Sequence, residues 1–210
     1  MNTTVQSPIT IHPLFIIPVL EITEKYNVNT EELNYIKTQG VRLNKHNYVS
    51  HENYILNNEK MKNIKKFIEQ GIKYYTEHIL CPSNKDIEIY ITESWCNYTK
   101  KGQSHHIHTH ANSILSGVLY IDVDKDSDKI HFYNKTYNRI EIPVDETKFN
   151  NCNSTSWWLP VENGKLIIFN SSLEHSVEEI TTDHMRISIS FNTFVRGEIG
   201  THTTLLKLRG

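Results

Sequence analysis

The sequence predicts a helical N-terminal portion packed on an all-β core of two antiparallel sheets. Three observations predict it. Between residues 59 and 79, Met61, Ile64, Phe67, Ile68, Ile72, Tyr75 and Ile79 recur mostly at steps of three or four, the period of a helix with one buried face. After Pro82 the period drops to two, in short runs separated by Asp, Asn, Ser and Gly, which reads as a sandwich or barrel. A chain of 210 residues that is 38% hydrophobic and 10% aromatic has enough apolar surface for a real core.

The elements follow in order. Residues 1–7 are small and polar, a loose tail. Residues 11–20 mix β-branched side chains with Pro13 and Pro18, which suits an edge strand or an extended entry segment. The run is too short and too interrupted for a membrane span, and it lacks the basic start and small-residue cleavage site of a signal peptide. Thr30, Glu31 and Glu32 ahead of Leu33 mark a helix start with acids in its first turn, ending by Gly40. Residues 40–55 are rich in Asn, His and Ser and read as an exposed loop. In the helix of residues 59–79 the lysines lie mostly off the apolar stripe, Gly71 interrupts the pattern, and Pro82 closes it. Residues 87–91, 115–123, 130–133, 165–169 and 186–194 read as strands.

Charge and cysteine content narrow the function. Lys and Arg number 22 against 24 Asp and Glu, a formal net charge of −2, which argues against a protein that grips nucleic acid through phosphates. Cys81, Cys96 and Cys152 are odd in number and widely spaced, with no CxxC pair, so a reducing compartment and a soluble intracellular protein are expected. Histidine is the outlier. Of 12 histidines, four fall within residues 105–110, and neutral imidazole is the commonest metal ligand. On an extended strand His106, His108 and His110 would share one face, where two neighbours can chelate one ion; an exposed His-rich loop is the plain alternative.

Two further stretches bear on that cluster. A strand signature at residues 164–169 runs into His175, a position that by itself suits a surface residue. In residues 186–192, Arg186, Ser188, Ser190 and Asn192 share one face and Ile187, Ile189 and Phe191 the other. The polar face can turn to water. If it points into a sandwich, Arg186 needs an anion there, either a protein acid or a ligand carboxylate, which a guanidinium with a hydroxyl two residues on is well shaped to hold.

His-x-His, a distal His 65 residues further, then Arg-x-Ser eleven beyond, resembles the Fe(II)- and 2-oxoglutarate-dependent oxygenases. Residues 93–97 (ESWCN), 108–120 (HTHANSILSGVLY), 169–175 (FNSSLEH) and 186–192 (RISISFN) are similar to a little-characterised branch of these 2OG-Fe(II) oxygenases common in phages and marine bacteria. The resemblance spans residues 87–192, touches 194–200 and reaches weakly into 13–18. It implies a double-stranded β-helix (a jelly roll, cupin-like) and a single oxygenase domain over residues 1–210. In that domain, residues 1–82 form an extended segment with supporting helices and 83–210 the jelly-roll core. It implies Fe(II) held by His108, His110 and His175. It implies 2-oxoglutarate gripped at its distal carboxylate by Arg186 and Ser188, with Asn97 and Tyr120 as further polar contacts. The implied reaction couples decarboxylation of 2-oxoglutarate to C–H hydroxylation of an unidentified second substrate by dioxygen, in the cytoplasm, that of the host cell if the protein is viral.

Two departures stand out. Ala111 replaces the proline usual in the branch, and His110 occupies the place of the wider superfamily's Asp or Glu. A neutral imidazole there raises the charge of the site by one unit, which favours a dianionic cosubstrate; Asp122 or Glu174 is the acid that would assist if one is required. The rivals are a three-His cupin-type dioxygenase working without 2-oxoglutarate, which has less need of Arg186, and a non-enzymatic module with structural zinc. Elsewhere, Trp157 and Trp158 read as core, Cys96 as a small core residue, and His131, His184 and His202 as exposed. The second substrate and the oligomeric state are not written in any spacing rule.

Overall fold

The computed structural model describes His12, residues 14–134 and residues 142–209. The tail expected at residues 1–7 and part of the 137–156 insertion lie outside the described residues. Chain order is β1 (Val19–Ile22), α1 (Thr30–Lys37), β2 (Val41–Leu43), β3 (Tyr48–Ser50), α2 (Lys62–Tyr75), β4 (Glu88–Thr99), β5 (His105–His108), β6 (Leu115–Asp122) and β7 (Lys129–Tyr133). It continues with β8 (Ser156–Pro160), β9 (Leu166–Asn170), β10 (Glu174–Val177), β11 (Arg186–Ile199) and β12 (Leu206–Leu208).

The larger sheet runs β1-β9-β6-β11-β4-β3-β2, with β12 paired to the far end of β11; the smaller runs β5-β10-β7-β8. From β4 to β7, and again from β9 to β11, successive strands alternate between the two sheets. All pairings among the named strands are antiparallel. This winding is the double-stranded β-helix that the sequence resemblance implied.

Alternation sorts each central strand between two cores. On β6, Leu115 and Leu119 face a helix-covered core, while Val118 and Tyr120 face the space between the sheets. Helix α2 covers the outer face with Ile64, Ile68, Ile72 and Tyr75, all buried, and Met61 joins them from the preceding turn. The helix is shorter than the periodicity predicts. A tight turn (Glu59–Met61) precedes it and a wider one (Thr76–Leu80) follows, which rotates Ile79 off the buried stripe and leaves it exposed. Gly71 is a close-approach glycine: a Cβ there would stand 2.8 Å from Ile168 Cδ1 on β9. Helix α1 is capped reciprocally, with Asn29 Oδ1 accepting from the Glu32 N–H and Glu32 Oε2 accepting from the Asn29 N–H.

The expected loop at 40–55 instead contains the hairpin β2–β3, whose outer strand has all three residues exposed and so lacks an alternating apolar face to read. Strands β5 and β10, four residues each, escape pattern reading for the same reason of length. At the centre of β6, a Cβ on Gly117 would stand 2.3 Å from Phe191 Cζ and 2.8 Å from the Ile167 carbonyl oxygen. Gly117→Ala should therefore destabilise the fold by about 1–3 kcal/mol in urea unfolding; a variant as stable as the parent would contradict this packing.

Candidate metal centre and anion pocket

In the smaller sheet His108 of β5 lies directly opposite His175 of β10, so both side chains project to the same side of the sheet. On the other flank of β10, Phe132 faces His175. Phe132 and Phe169 stack edge-to-face at 5.2 Å, and Phe169 meets the His175 ring at 4.6 Å, an aromatic wall behind that imidazole. His110 lies two residues past the end of β5, in the turn leading to β6. Its backbone N–H donates to the Ser171 carbonyl at 3.0 Å, which brings its ring parallel to that of His175 with the two Nε2 atoms 3.2 Å apart. One ring nitrogen from each of His108, His110 and His175 lies within 4.8 Å of the others.

Hydrogen bonds orient two of these rings. His108 Nδ1 is 2.8 Å from the His106 carbonyl and His175 Nδ1 is 2.9 Å from the Leu173 carbonyl. A carbonyl only accepts, so each Nδ1 carries the proton and each Nε2 keeps its lone pair. Burial lowers the pKa of all three, to about 4 for His110 and about 2 for His175; neighbouring imidazoles lower these two further, and Lys45 lowers His108. At neutral pH they are uncharged, the form that binds metal. Two nitrogens about 2.1 Å from one ion stand about 3.0 Å apart at a right angle and about 3.4 Å apart at a tetrahedral angle; the observed 3.2 Å falls between. No carboxylate joins the group among the described residues. The acid considered at 122 lies 3.9 Å from His184 Nε2 instead.

The same cavity continues onto the larger sheet. Arg186, Ser188 and Ser190 of β11 line it, beside Asn97 of β4 and Tyr120 of β6. Arg186 is 3% exposed. Its Nη1 donates to the Lys129 carbonyl at 3.1 Å, its guanidinium lies over the Tyr120 ring at 5.1 Å, and no carboxylate pairs with it among the described residues. The Tyr120 hydroxyl is buried without a hydrogen-bond partner of good geometry, and burial pushes it up to about 12, Arg186 opposing. Asn97 is more engaged: its amide donates to Ser190 Oγ at 2.9 Å and its Oδ1 accepts from Trp95 Nε1 at 3.3 Å.

All seven residues singled out as ligands or cosubstrate contacts thus line one cavity, but the strand-face argument for the histidines needs correction. The β5–β10 register is bulged between His175 and Val177, which pair with His108 and His105. The bulge turns His105 into the cavity, stacked on His108 at 4.5 Å, while His106 packs towards His46 at 6.3 Å. Burial lowers His105 to about 3. Simple alternation cannot find such a residue. Trp95, whose ring is 5.8 Å from His110, was findable, since it shares the Asn97 face. Three other expectations fail. Trp157 and Trp158 are 47% and 48% exposed because β8 is an edge strand. His131 is half-buried beside Glu178 at 3.3 Å, and His184 is half-buried beside Asp122. Cys96 is fully buried in the helix-side core as expected.

Residues 93–192 match a family model described as "Putative 2OG-Fe(II) oxygenase". No curated protein matches the chain. Among solved structures, HygX from Streptomyces hygroscopicus, with nickel and 2-oxoglutarate bound, superposes with a TM-score of 0.59 at 9% identity, over 84% of this chain and 82% of that one. A 2OG-Fe(II) oxygenase family oxidoreductase from Burkholderia pseudomallei gives 0.58 at 11% identity, over 83% of each chain. A Pseudomonas putida prolyl-4-hydroxylase gives 0.56 at 11%, over 86% and 94%. At such identities these likenesses carry the fold, and it is the fold that the topology describes.

The neutral imidazoles make stability pH-dependent. Their pKa values are depressed in the folded state from 6.5 to between about 2 and 4 for His175, His105 and His110. The unfolded chain therefore takes up protons first, and stability present above pH 6.5 is lost as pH falls through that window. Between pH 7.5 and 5.5, above the carboxylate range, the Tm of the metal-free protein should fall, and less steeply in His175→Gln. A flat profile for the unsubstituted protein would contradict the burial of neutral histidines.

Proposed function

From the match of residues 93–192 to a family model for 2OG-Fe(II) oxygenases and the geometry of the cavity, we propose that this chain is an Fe(II)- and 2-oxoglutarate-dependent dioxygenase with a three-histidine iron site. It couples oxidative decarboxylation of 2-oxoglutarate, to succinate and carbon dioxide, to hydroxylation of a C–H bond in a second substrate. The observation that carries this reading is Arg186, a buried cation without a protein carboxylate, in the same cavity as three neutral imidazoles. An ionised group in that position needs a counter-anion, and the distal carboxylate of a keto-diacid supplies one.

The residues present fit both groups. His108, His110 and His175 offer three nitrogens, and because the Nδ1–H groups of His108 and His175 are bound to carbonyls, their Nε2 atoms carry the lone pairs, that of His175 facing His110 Nε2 at 3.2 Å. Arg186 donates through Nη1 to the Lys129 carbonyl, which leaves other N–H groups of its fork for an anion. The Tyr120 hydroxyl, buried and unpartnered, is a ready donor to the same anion, and Ser188 follows Arg186 on the inward face. Ferrous iron, when bound, supplies dioxygen activation and the redox chemistry, while the protein supplies position and electrostatics. The chain's contribution is to hold Arg186 on a strand across the cavity from the imidazoles, so that the direction of the guanidinium sets the orientation of the keto-acid. The aromatic wall of Phe132 and Phe169 keeps water from the back of His175. Asn97, tied to Ser190 and Trp95, shapes the cavity floor.

The buried Arg186 also favours this reading over the rival without 2-oxoglutarate, which leaves that cation uncompensated. Three nitrogens with no fourth protein ligand among the described residues fall short of a closed structural zinc site.

Anaerobic addition of Fe(II) and 2-oxoglutarate should give a weak visible charge-transfer band, and aerobic incubation should release succinate even without a second substrate. His108→Ala and His175→Ala should abolish both. Arg186→Ala should bind Fe(II) normally while raising the 2-oxoglutarate requirement about tenfold or more, the value of a hydrogen bond to a charged group. Neither band nor succinate from the unsubstituted protein would overturn the assignment.

A further inference from the structure

Of the three imidazoles, His110 is the one that no strand holds. His108 and His175 are fixed by their ladder positions, whereas His110 sits in a turn whose neighbours Ala111 and Asn112 are exposed, Asn112 with a positive φ of 54°. A ligand on a loop needs support from elsewhere if it is to stay in place before an ion arrives.

The support is a buried row of hydroxyls. Ser171, fully buried in the turn between β9 and β10, accepts the His110 N–H at its carbonyl, and its own N–H donates to the Ile114 carbonyl at 3.0 Å. Its Oγ lies 2.7 Å from Ser113 Oγ and 2.8 Å from Ser116 Oγ. Ser116 Oγ donates to Asn192 Oδ1 at 2.8 Å, and the Asn192 amide donates to Glu93 Oε2 at 3.2 Å. The turn that carries His110 and the turn that leads to His175 are thus tied to each other through Ser171. Both are tied to the larger sheet through Ser116 and Asn192, a directly opposed pair at the end of the β6–β11 ladder. Side chains here are small and the hydroxyls are 0–1% exposed at Ser171 and Ser116, so their bonds are shielded from competing water.

We propose that Ser171 and Ser116, anchored on Asn192, are positioning residues that pre-set the 3.2 Å separation of the His110 and His175 nitrogens for metal binding. They touch neither metal nor substrate and act through the two turns. The inference rests on the three-histidine reading of the site. Losing a hydroxyl loosens His110 relative to His175, so that part of the binding free energy goes into restoring their geometry. Such outer support typically governs metal affinity by 10–100-fold.

The test uses the full chain and Co(II) alone, followed by titration calorimetry and the cobalt d–d absorption, with thermal melting alongside. Ser171→Ala and Ser116→Ala should each weaken Co(II) binding about tenfold and alter the cobalt spectrum, and Ser171→Thr, which keeps the hydroxyl, should restore both. Ser94→Ala removes an equally buried hydroxyl that accepts from the Leu56 N–H, on the other face of β4; it should lower the Tm and leave Co(II) affinity unchanged. If Ser171→Ala does not fold, Ser116→Ala alone carries the test. Unaltered affinity and spectrum in the folded alanine variants would overturn this inference while leaving the metal site intact. Co(II) binding by the unsubstituted protein no tighter than by His175→Ala would instead overturn the three-histidine reading itself.

Discussion

A guanidinium withdrawn from water is stable only where negative charge meets it, and the interior of this protein offers Arg186 a carbonyl and a tyrosine ring but no carboxylate among the described residues. That imbalance is the constraint on which the site depends. Across the same cavity stand three imidazoles that burial keeps neutral, so they add no positive charge of their own and leave their lone pairs available. A cation bound by the imidazoles and an anion held by the arginine each lower the cost of the other, and a keto-diacid carries groups suited to both.

The jelly roll makes this juxtaposition possible because its chain crosses between sheets at nearly every turn. Segments remote in sequence, around residues 108, 175 and 186, arrive on facing surfaces of one cavity. The helix-covered face of the larger sheet supplies the apolar burial, with α2 seated against β9 and β1 closely enough to require Gly71. The inner face adds a smaller apolar cluster, with Val118 on β6 and Ile167 and Phe169 on β9, and beside it holds polar residues: Arg186, Ser188, Ser190 and Asn192 on β11, Ser116 and Tyr120 on β6, Asn97 on β4. Asn97 is paired with Ser190, Ser116 with Asn192 and Arg186 with the Lys129 carbonyl, as buried polar groups must be. The unpartnered Tyr120 hydroxyl, beside the uncompensated arginine, is the informative exception.

How much of this could be read from the sequence depended on whether a residue sat in a regular element. Alternation in residues 186–192 correctly separated Arg186 and Ser188 from Ile187 and Ile189, and the helical stripe found Ile64, Ile68 and Ile72. The spacing of His108, His110 and His175, joined to Arg186 and Ser188, was legible as a resemblance. Irregularity defeated the rest. A register shift between β5 and β10 exchanged the roles of His105 and His106, and no period-two argument can anticipate a bulge. The hairpin at residues 41–50 has an exposed outer strand, which removes the apolar half of the pattern. The adjacent tryptophans at 157 and 158 resembled core by composition, but composition does not reveal that their strand lies at a sheet edge. The serine row behind His110 is equally silent in sequence, since Ser113, Ser116 and Ser171 gain meaning only when two turns meet.

The most direct test is a crystal structure of the protein with Mn(II), a redox-inert stand-in for ferrous iron, and 2-oxoglutarate under anaerobic conditions. The account predicts an anomalous peak bound by His108, His110 and His175, with the keto-acid reaching from that ion to the Arg186 guanidinium. A metal peak elsewhere, or an ordered keto-acid that leaves Arg186 on the Lys129 carbonyl alone, would contradict it.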